Sequence, residues 1–167
     1  MGAGKTTVGG ALAARIGWAF VDLDNIIIEM AGKSVPEIFR EHGEARFREH
    51  ETAALAEVLD RRIADEPTVV ALGGGAFVQP SNLDLLRASK QPTVFLDADL
   101  QELQKRCAAE EGTRPLFRDE NQFRQLYEAR RSGYMKADLR VDTTGKAVDE
   151  IVNEVLSRLE LQDDFSK

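Results

Sequence analysis

Gly2-Ala3-Gly4-Lys5-Thr6-Thr7 runs straight into Lys5–Ile16, a stretch of small and apolar residues at helical spacing that stops at Gly17. The hexapeptide is the second half of the phosphate-binding pattern G-x-x-x-x-G-K-[ST]. In that pattern glycines let successive backbone N–H groups point at phosphate oxygens, and the helix N-terminus adds the positive end of its dipole. Lys5 reaches the β- and γ-phosphates, and the Thr6 hydroxyl can ligate Mg²⁺. The plain alternative is a flexible glycine-rich start. The pattern's first glycine belongs five residues before Gly4, ahead of Met1, so the sequence predicts that the loop's front and its strand lie upstream and that Met1 is an internal loop position.

Downstream of the loop, strand-like and helix-like segments alternate. Trp18–Leu23 reads as a strand running into acidic residues. Residues 24–31 and 35–41 read as short helices separated by Gly32-Lys33-Ser34, and Glu44–Arg62 as a longer charged helix. Thr68–Leu72 is a buried strand ending in Gly73-Gly74-Gly75. A short helix near 81–88, the strand Thr93–Leu96, a helix over 100–109, a polar loop over 110–118, a helix over 120–136, the strand Leu139–Asp142 and a helix near 147–159 complete the chain. Ile26-Ile27-Ile28 would suit a strand on propensity alone. Its closeness to the preceding strand, with Asp24 as a cap, favours a helix. Continuous apolar strands alternating with helices predict an α/β fold, with a parallel sheet covered on both faces.

No repeat or linker divides the 167 residues, a length that suits one domain over 1–167. Hydrophobic residues at 43% and charged residues at 31% are values of an ordinary globular protein, not of a disordered one. Cys107 is the only cysteine, so no intramolecular disulfide can form and a reducing cytoplasm is expected. No apolar run approaches the roughly 18 residues of a membrane span. A net charge of −7 argues against a protein that coats nucleic acid or an anionic membrane. Basic residues are nevertheless concentrated locally: Arg106, Arg114, Arg118, Arg124, Arg130 and Arg131 are six of the fifteen arginines, and they mark where an anionic ligand could bind.

Further candidates lie where strands end. Asp22 and Asp24 follow the first strand, at the edge where open α/β sheets place ligands, and suit a water-mediated contact to Mg²⁺ and a contact to a substrate hydroxyl. Helix capping and ordinary solvation are the alternatives. Gly73-Gly74-Gly75 either allows a ligand to approach bare backbone or makes a plain tight turn. Glu44, Arg48 and Glu51 share one helix face, so Arg48 could be held by carboxylates while its fork meets a substrate carboxylate, or could belong to a salt-bridged surface helix. His42 and His50 have no partners at metal-ligand spacing, and Cys107 reads as a packed helix residue.

The loop, Asp22-x-Asp24, Gly-Glu-x-x-Phe-Arg-x-x-Glu at 43–51, Gly73-Gly74-Gly75, Arg114-Pro115-Leu116 and Arg130-x-x-x-Tyr134 occur in the order and spacing of shikimate kinase. From Met1 to about Leu159 the chain resembles that family. The resemblance implies ATP-dependent phosphorylation of the 3-hydroxyl of shikimate, a step of aromatic amino-acid biosynthesis. It also implies a three-layer α/β/α P-loop kinase fold with a five-stranded parallel sheet, whose first strand is missing from this chain. A substrate-binding region at about 24–52 and a lid at about 108–119 complete the implied architecture. Carried over by position, Gly2, Ala3, Gly4, Lys5, Thr6 and Thr7 bind ATP, with Lys5 catalytic. Thr6 and Asp22 serve Mg²⁺, Asp22 through water. Asp24 orients the attacking hydroxyl and accepts its proton. Arg48 and Arg130 clamp the shikimate carboxylate beside Gly73, Gly74 and Gly75. Arg114 reaches over the transferring phosphoryl group, and Arg106 stacks near adenine. The expected partners are shikimate and ATP alone, bound by a cytoplasmic monomer.

Two departures from the family pattern stand out. Related sequences carry Gly-Phe-Met-Gly at the loop, which places Met1 at an internal methionine. The segment Arg130-Arg131-Ser132-Gly133-Tyr134 lacks the proline often found before the tyrosine, leaving open which arginine grips the carboxylate. A gluconate-kinase-like enzyme would share the loop and the Mg²⁺ site, and a non-catalytic nucleotide-binding module is the alternative of a different class.

Overall fold

The computed structural model describes residues 2–62, 66–109 and 120–161. Arg114 and residues 110–119 of the expected lid lie outside them. The chain forms two compact units, one from the described parts of Met1–Val8 and Pro92–Leu161, the other from those of Gly9–Gln91.

Helix α1 spans Lys5–Ile16. In the unit of Gly9–Gln91, β1 (Ala19–Asp22) leads directly into α2 (Leu23–Ala31). The Ile26-Ile27-Ile28 run is helical as expected: Leu23 and Ile27, four residues apart, are fully buried, while Ile28 faces outward. The cap is Asp22 and not Asp24. The Asp22 carboxylate accepts the backbone N–H of Asp24 at 3.1 Å, because the helix starts at Leu23 and puts Asp24 in its first turn. Helix α3 (Val35–Glu57) starts at Ser34, whose backbone N–H is taken by the Glu37 carboxylate at 2.8 Å. Two helices were expected over this range, and they meet at Gly43, whose φ of 74° and ψ of 179° turn the chain. The expected long helix from Glu44 ends as α-helix at Glu57 and closes with a π-helical turn, Val58–Arg62. Strand β2 (Thr68–Ala71) is followed by a 3₁₀ turn, Ala76–Val78, and by α4 (Pro80–Ser89). β1 and β2 pair in parallel, from Ala19 opposite Thr68 to Asp22 opposite Ala71. Leu23, Ile27, Ile38, Phe47, Leu55 and Val58 form the centre of this unit's core, each buried aliphatic contributing about 2 kcal/mol.

The other unit contains β3 (Val94–Asp97), α5 (Leu100–Ala109), α6 (Glu120–Tyr134), β4 (Leu139–Asp142) and α7 (Val148–Leu159). β3 and β4 are again parallel, Val94 opposite Leu139 and Asp97 opposite Asp142. Helix α7 buries Ile151, Val152, Val155 and Leu156, a single apolar stripe. Ala3 packs in a small cluster with Ala98, Leu103 and Phe123, which seats the glycine loop on α5.

The four strands among the described residues are those read from the sequence, and both of their pairings are parallel. Two details differ from expectation. Among the described residues the backbone ladder joins strands only within each pair, so they form two two-stranded sheets. β4 is also not an apolar run covered on both faces. Leu139 and Val141 are buried while Arg140 and Asp142 are exposed, because Arg140 serves an ion pair described below.

Candidate active site

The glycine loop leads directly into α1, which begins at Lys5. Gly2 and Gly4 have positive φ, 59° and 76°, which lets the chain curl its N–H groups to one side. The first helical hydrogen bond, Val8 N–H to Gly4 C=O at 2.8 Å, closes directly behind the loop. No acidic residue occupies the first turn of α1, so the positive end of its dipole is not offset there. A β-carbon on Gly2 would lie 2.7 Å from Cys107 Sγ and 3.0 Å from the Leu103 carbonyl, so α5 admits only glycine at this point of the loop.

On the same helix Arg106 donates to Glu102 at 3.1 Å, to the Thr143 carbonyl at 3.1 Å and to its hydroxyl at 3.5 Å. Thr143 in turn donates its N–H at 2.7 Å and its hydroxyl at 2.9 Å to the Asp97 carbonyl. The Asp97 side chain is almost fully buried and collects three further donors: Arg140 Nε at 2.8 Å, Arg131 Nη2 at 3.2 Å and the Tyr127 hydroxyl at 3.2 Å. Arg131 also donates to the Tyr127 oxygen at 3.2 Å. The Tyr127 hydrogen bond, with the Asp97 charge, outweighs burial and holds the Arg131 guanidinium above its ordinary pKa. Burial, reinforced by Asp97 and opposed by Arg131, raises the Tyr127 phenol. Arg131 is thus held by Asp97 and Tyr127.

The unit of Gly9–Gln91 brings together Asp24, Arg48, Gly73 and Gly75. Arg48 donates through Nη1 to Glu51 at 2.8 Å and through Nη2 to Glu44 at 3.0 Å. Burial opposes its charge, but the two carboxylates outweigh burial and keep its pKa raised, so Arg48 is a permanent cation. Its guanidinium lies over Gly75, where a β-carbon would sit 2.7 Å from Arg48 Cζ. A β-carbon on Gly73 would sit 3.2 Å from Asp24 Oδ1 and 3.0 Å from Glu51 Oε1. Bare backbone at both glycines is therefore what allows the carboxylates and the guanidinium their positions. Phe47 and Phe39 stack at 4.6 Å, with Arg48 Cζ 5.3 Å from the Phe47 ring centre, adding an apolar wall beside the cation.

Two members of this arrangement were not read from the sequence as they occur. Glu51 was expected either to hold Arg48 or to belong to a salt-bridged surface helix; it holds Arg48, but its burial, at 1% exposure, was not foreseen. Gln79 carries no motif signal, yet its amide donates to Glu51 Oε2. Thr6, in the first turn of α1, carries a hydroxyl, a hard oxygen donor of the kind that holds Mg²⁺ together with phosphate oxygens and water, while the Asp22 carboxylate caps α2.

The shikimate kinase family profile matches residues 1–160. A shikimate kinase of Geobacter sulfurreducens is 43% identical over 158 residues, 93% of this chain and 84% of the relative. Among solved structures, shikimate kinase from Acinetobacter baumannii in complex with shikimate superposes with a TM-score of 0.86 at 32% identity, covering 96% of this chain and 88% of that one. A gluconokinase from Sinorhizobium meliloti is more distant, with a TM-score of 0.61 at 25% identity over 96% of this chain and 87% of that one. A parallel α/β fold, a glycine loop on a helix N-terminus and a half-buried arginine beside glycines thus agree with likeness along nearly the whole chain, which belongs to the shikimate kinase family.

Proposed function

We propose that this chain transfers the γ-phosphoryl group of ATP to the 3-hydroxyl of shikimate, the activity of its family, with 1–167 working as one kinase domain. Arg48 is the observation that carries the reading. A permanently charged fork, held by Glu51 and Glu44 and laid over Gly75, is suited to a small carboxylate. Arg130, the position that matches the family pattern, is its companion in the clamp. Gly73, Gly74 and Gly75 line the same site.

Asp24, beside Gly73, is the carboxylate that orients the attacking hydroxyl and accepts its proton. Gly2, Ala3, Gly4, Lys5, Thr6 and Thr7 cradle the phosphates, with Arg106 toward the adenine and Arg114 over the transferring group. Phosphoryl transfer passes through a loose transition state with little covalent work for the protein, so positioning and cationic stabilisation lower the barrier. Mg²⁺, held by Thr6 and through water by Asp22, would neutralise phosphate charge. Net charge is −7, and the arginines supply locally the positive charge that two anionic substrates need. The reading includes a cytoplasmic monomer, and the single cysteine is in keeping with a reducing compartment.

The test is ADP release from ATP with shikimate, gluconate or nucleoside monophosphates as acceptor. Turnover with shikimate is expected, and turnover with gluconate alone would refute the proposal.

A further inference from the structure

We propose that Gln79 is a positioning residue for Arg48, acting through the buried Glu51. This rests on Arg48 being the carboxylate-binding residue. Gln79 occupies the N-cap of α4, yet its side chain makes no capping bond. Its amide instead crosses 28 positions of sequence to donate to Glu51 Oε2, the oxygen that also takes Arg48 Nη1. The turn that carries Gln79 is itself fastened to the glycine segment: Ala76 N–H donates to the Gly73 carbonyl at 3.0 Å, and the buried Asn82 amide donates to the Ala76 carbonyl at 3.0 Å.

One carboxylate oxygen therefore receives a donor from α3 and another from the far end of the glycine segment. Glu51 is buried, on the helix face that also carries the buried Phe47, Ala54 and Leu55, away from water that could replace a lost donor. With both donors present the carboxylate is fixed in rotation, and Arg48, hydrogen-bonded to it, is fixed in turn above Gly75. Without the Gln79 amide, Oε2 of Glu51 loses a donor that ties it to another element, so Arg48, bonded to the same oxygen, is held less firmly and no longer meets the substrate carboxylate in one geometry. Gln79 forgoes a local cap to hold a side chain on another element.

The test uses the full chain and the variants Gln79→Met, which keeps length and removes the donor, Arg48→Met, and the double variant. KM for shikimate, KM for ATP, kcat and thermal midpoint are measured for each. Gln79→Met is expected to raise KM for shikimate about tenfold, as loss of a hydrogen bond to a charged group does, with kcat and KM for ATP changed by less than about twofold. In the Arg48→Met background the same substitution is expected to add nothing, because coupled residues are not additive. Gln79→Met with an unchanged KM for shikimate, beside an Arg48→Met variant whose KM rises, overturns the role of Gln79 alone. An equal further rise in the double variant also overturns it, since the effect would then bypass Arg48. Arg48→Met with an unchanged KM for shikimate overturns the carboxylate reading of Arg48 and the role of Gln79 with it.

Discussion

Gly75→Ala isolates the role of the glycine segment, because it adds one methyl group without straining the chain. Gly75 has φ −95° and ψ −24°, a conformation alanine adopts freely, so backbone cost is absent. The new β-carbon would lie 2.7 Å from Arg48 Cζ and nearer still to Nη1 and Nη2, where two carbons rest at about 3.5–4.0 Å, and the guanidinium must withdraw by at least about 1 Å. Its hydrogen bonds to Glu51 and Glu44 are 2.8 and 3.0 Å, and such a displacement takes them to about the 3.5 Å limit of useful geometry. The displaced atoms are the end of a flexible side chain, so stability should fall by only about 1 kcal/mol, the worth of one weakened hydrogen bond. Substrate placement has no such tolerance. A 1 Å error at a positioning residue costs about 100-fold in rate, or about 2.7 kcal/mol of transition-state stabilisation. The assay is ADP release with shikimate varied at saturating ATP, beside urea unfolding of the same preparation. A folded Gly75→Ala protein with kcat/KM for shikimate within about threefold of the parent, well short of the loss expected for a misplaced group, would refute this reasoning.

The two adjacent arginines of α6 should separate cleanly. Arg130→Met is expected to raise KM for shikimate at least about tenfold at unchanged unfolding midpoint. Arg131→Met, which loses Asp97 and Tyr127, should instead lower stability by about 1–3 kcal/mol, and the reverse pattern in steady-state kinetics and urea titrations would exchange their roles. Asp138 provides a pH test. Its carboxylate accepts the Thr93 hydroxyl at 2.7 Å and the Thr93 N–H at 2.8 Å, which hold its pKa below the usual value. A group whose pKa is depressed by folding stabilises above its unfolded pKa, about 3.9, and loses that contribution as pH falls through the folded value. The stability gap between the parent and Asp138→Asn should therefore be flat from about pH 5 to 7 and shrink below about pH 4. Urea midpoints across that range measure it, and a gap that widens on acidification contradicts the assignment.

Much of this was legible in the residues. Strands and helices follow from apolar period and from Gly, Pro and Ser punctuation, and even Ile26-Ile27-Ile28 could be assigned to a helix from its neighbourhood. The phosphate loop and Arg48 were readable because their spacing is local. What escaped depends on pairings between distant positions. Glu51 on a charged helix gives no hint that it is buried until Gln79, 28 residues on, is seen beside it. Asp97, Tyr127, Arg131 and Arg140 come from β3, α6 and β4, and no periodicity relates them. The cap of α2 was misplaced by two residues, from Asp22 to Asp24, because strand and helix abut with no loop and either aspartate satisfies the sequence rule.

Asp97 also bears on how this protein can change over evolutionary time. Two guanidinium groups, from Arg131 and Arg140, donate to one and the same oxygen of its side chain. Replacing the carboxylate alone would leave like charges facing each other at the end of a sheet. Drift at this position is therefore epistatic. A descendant that loses the acid must also give up one of the cations, so substitutions at 97, 131 and 140 should travel as a set, and a mutational scan of pairs should find tolerated combinations where single changes fail.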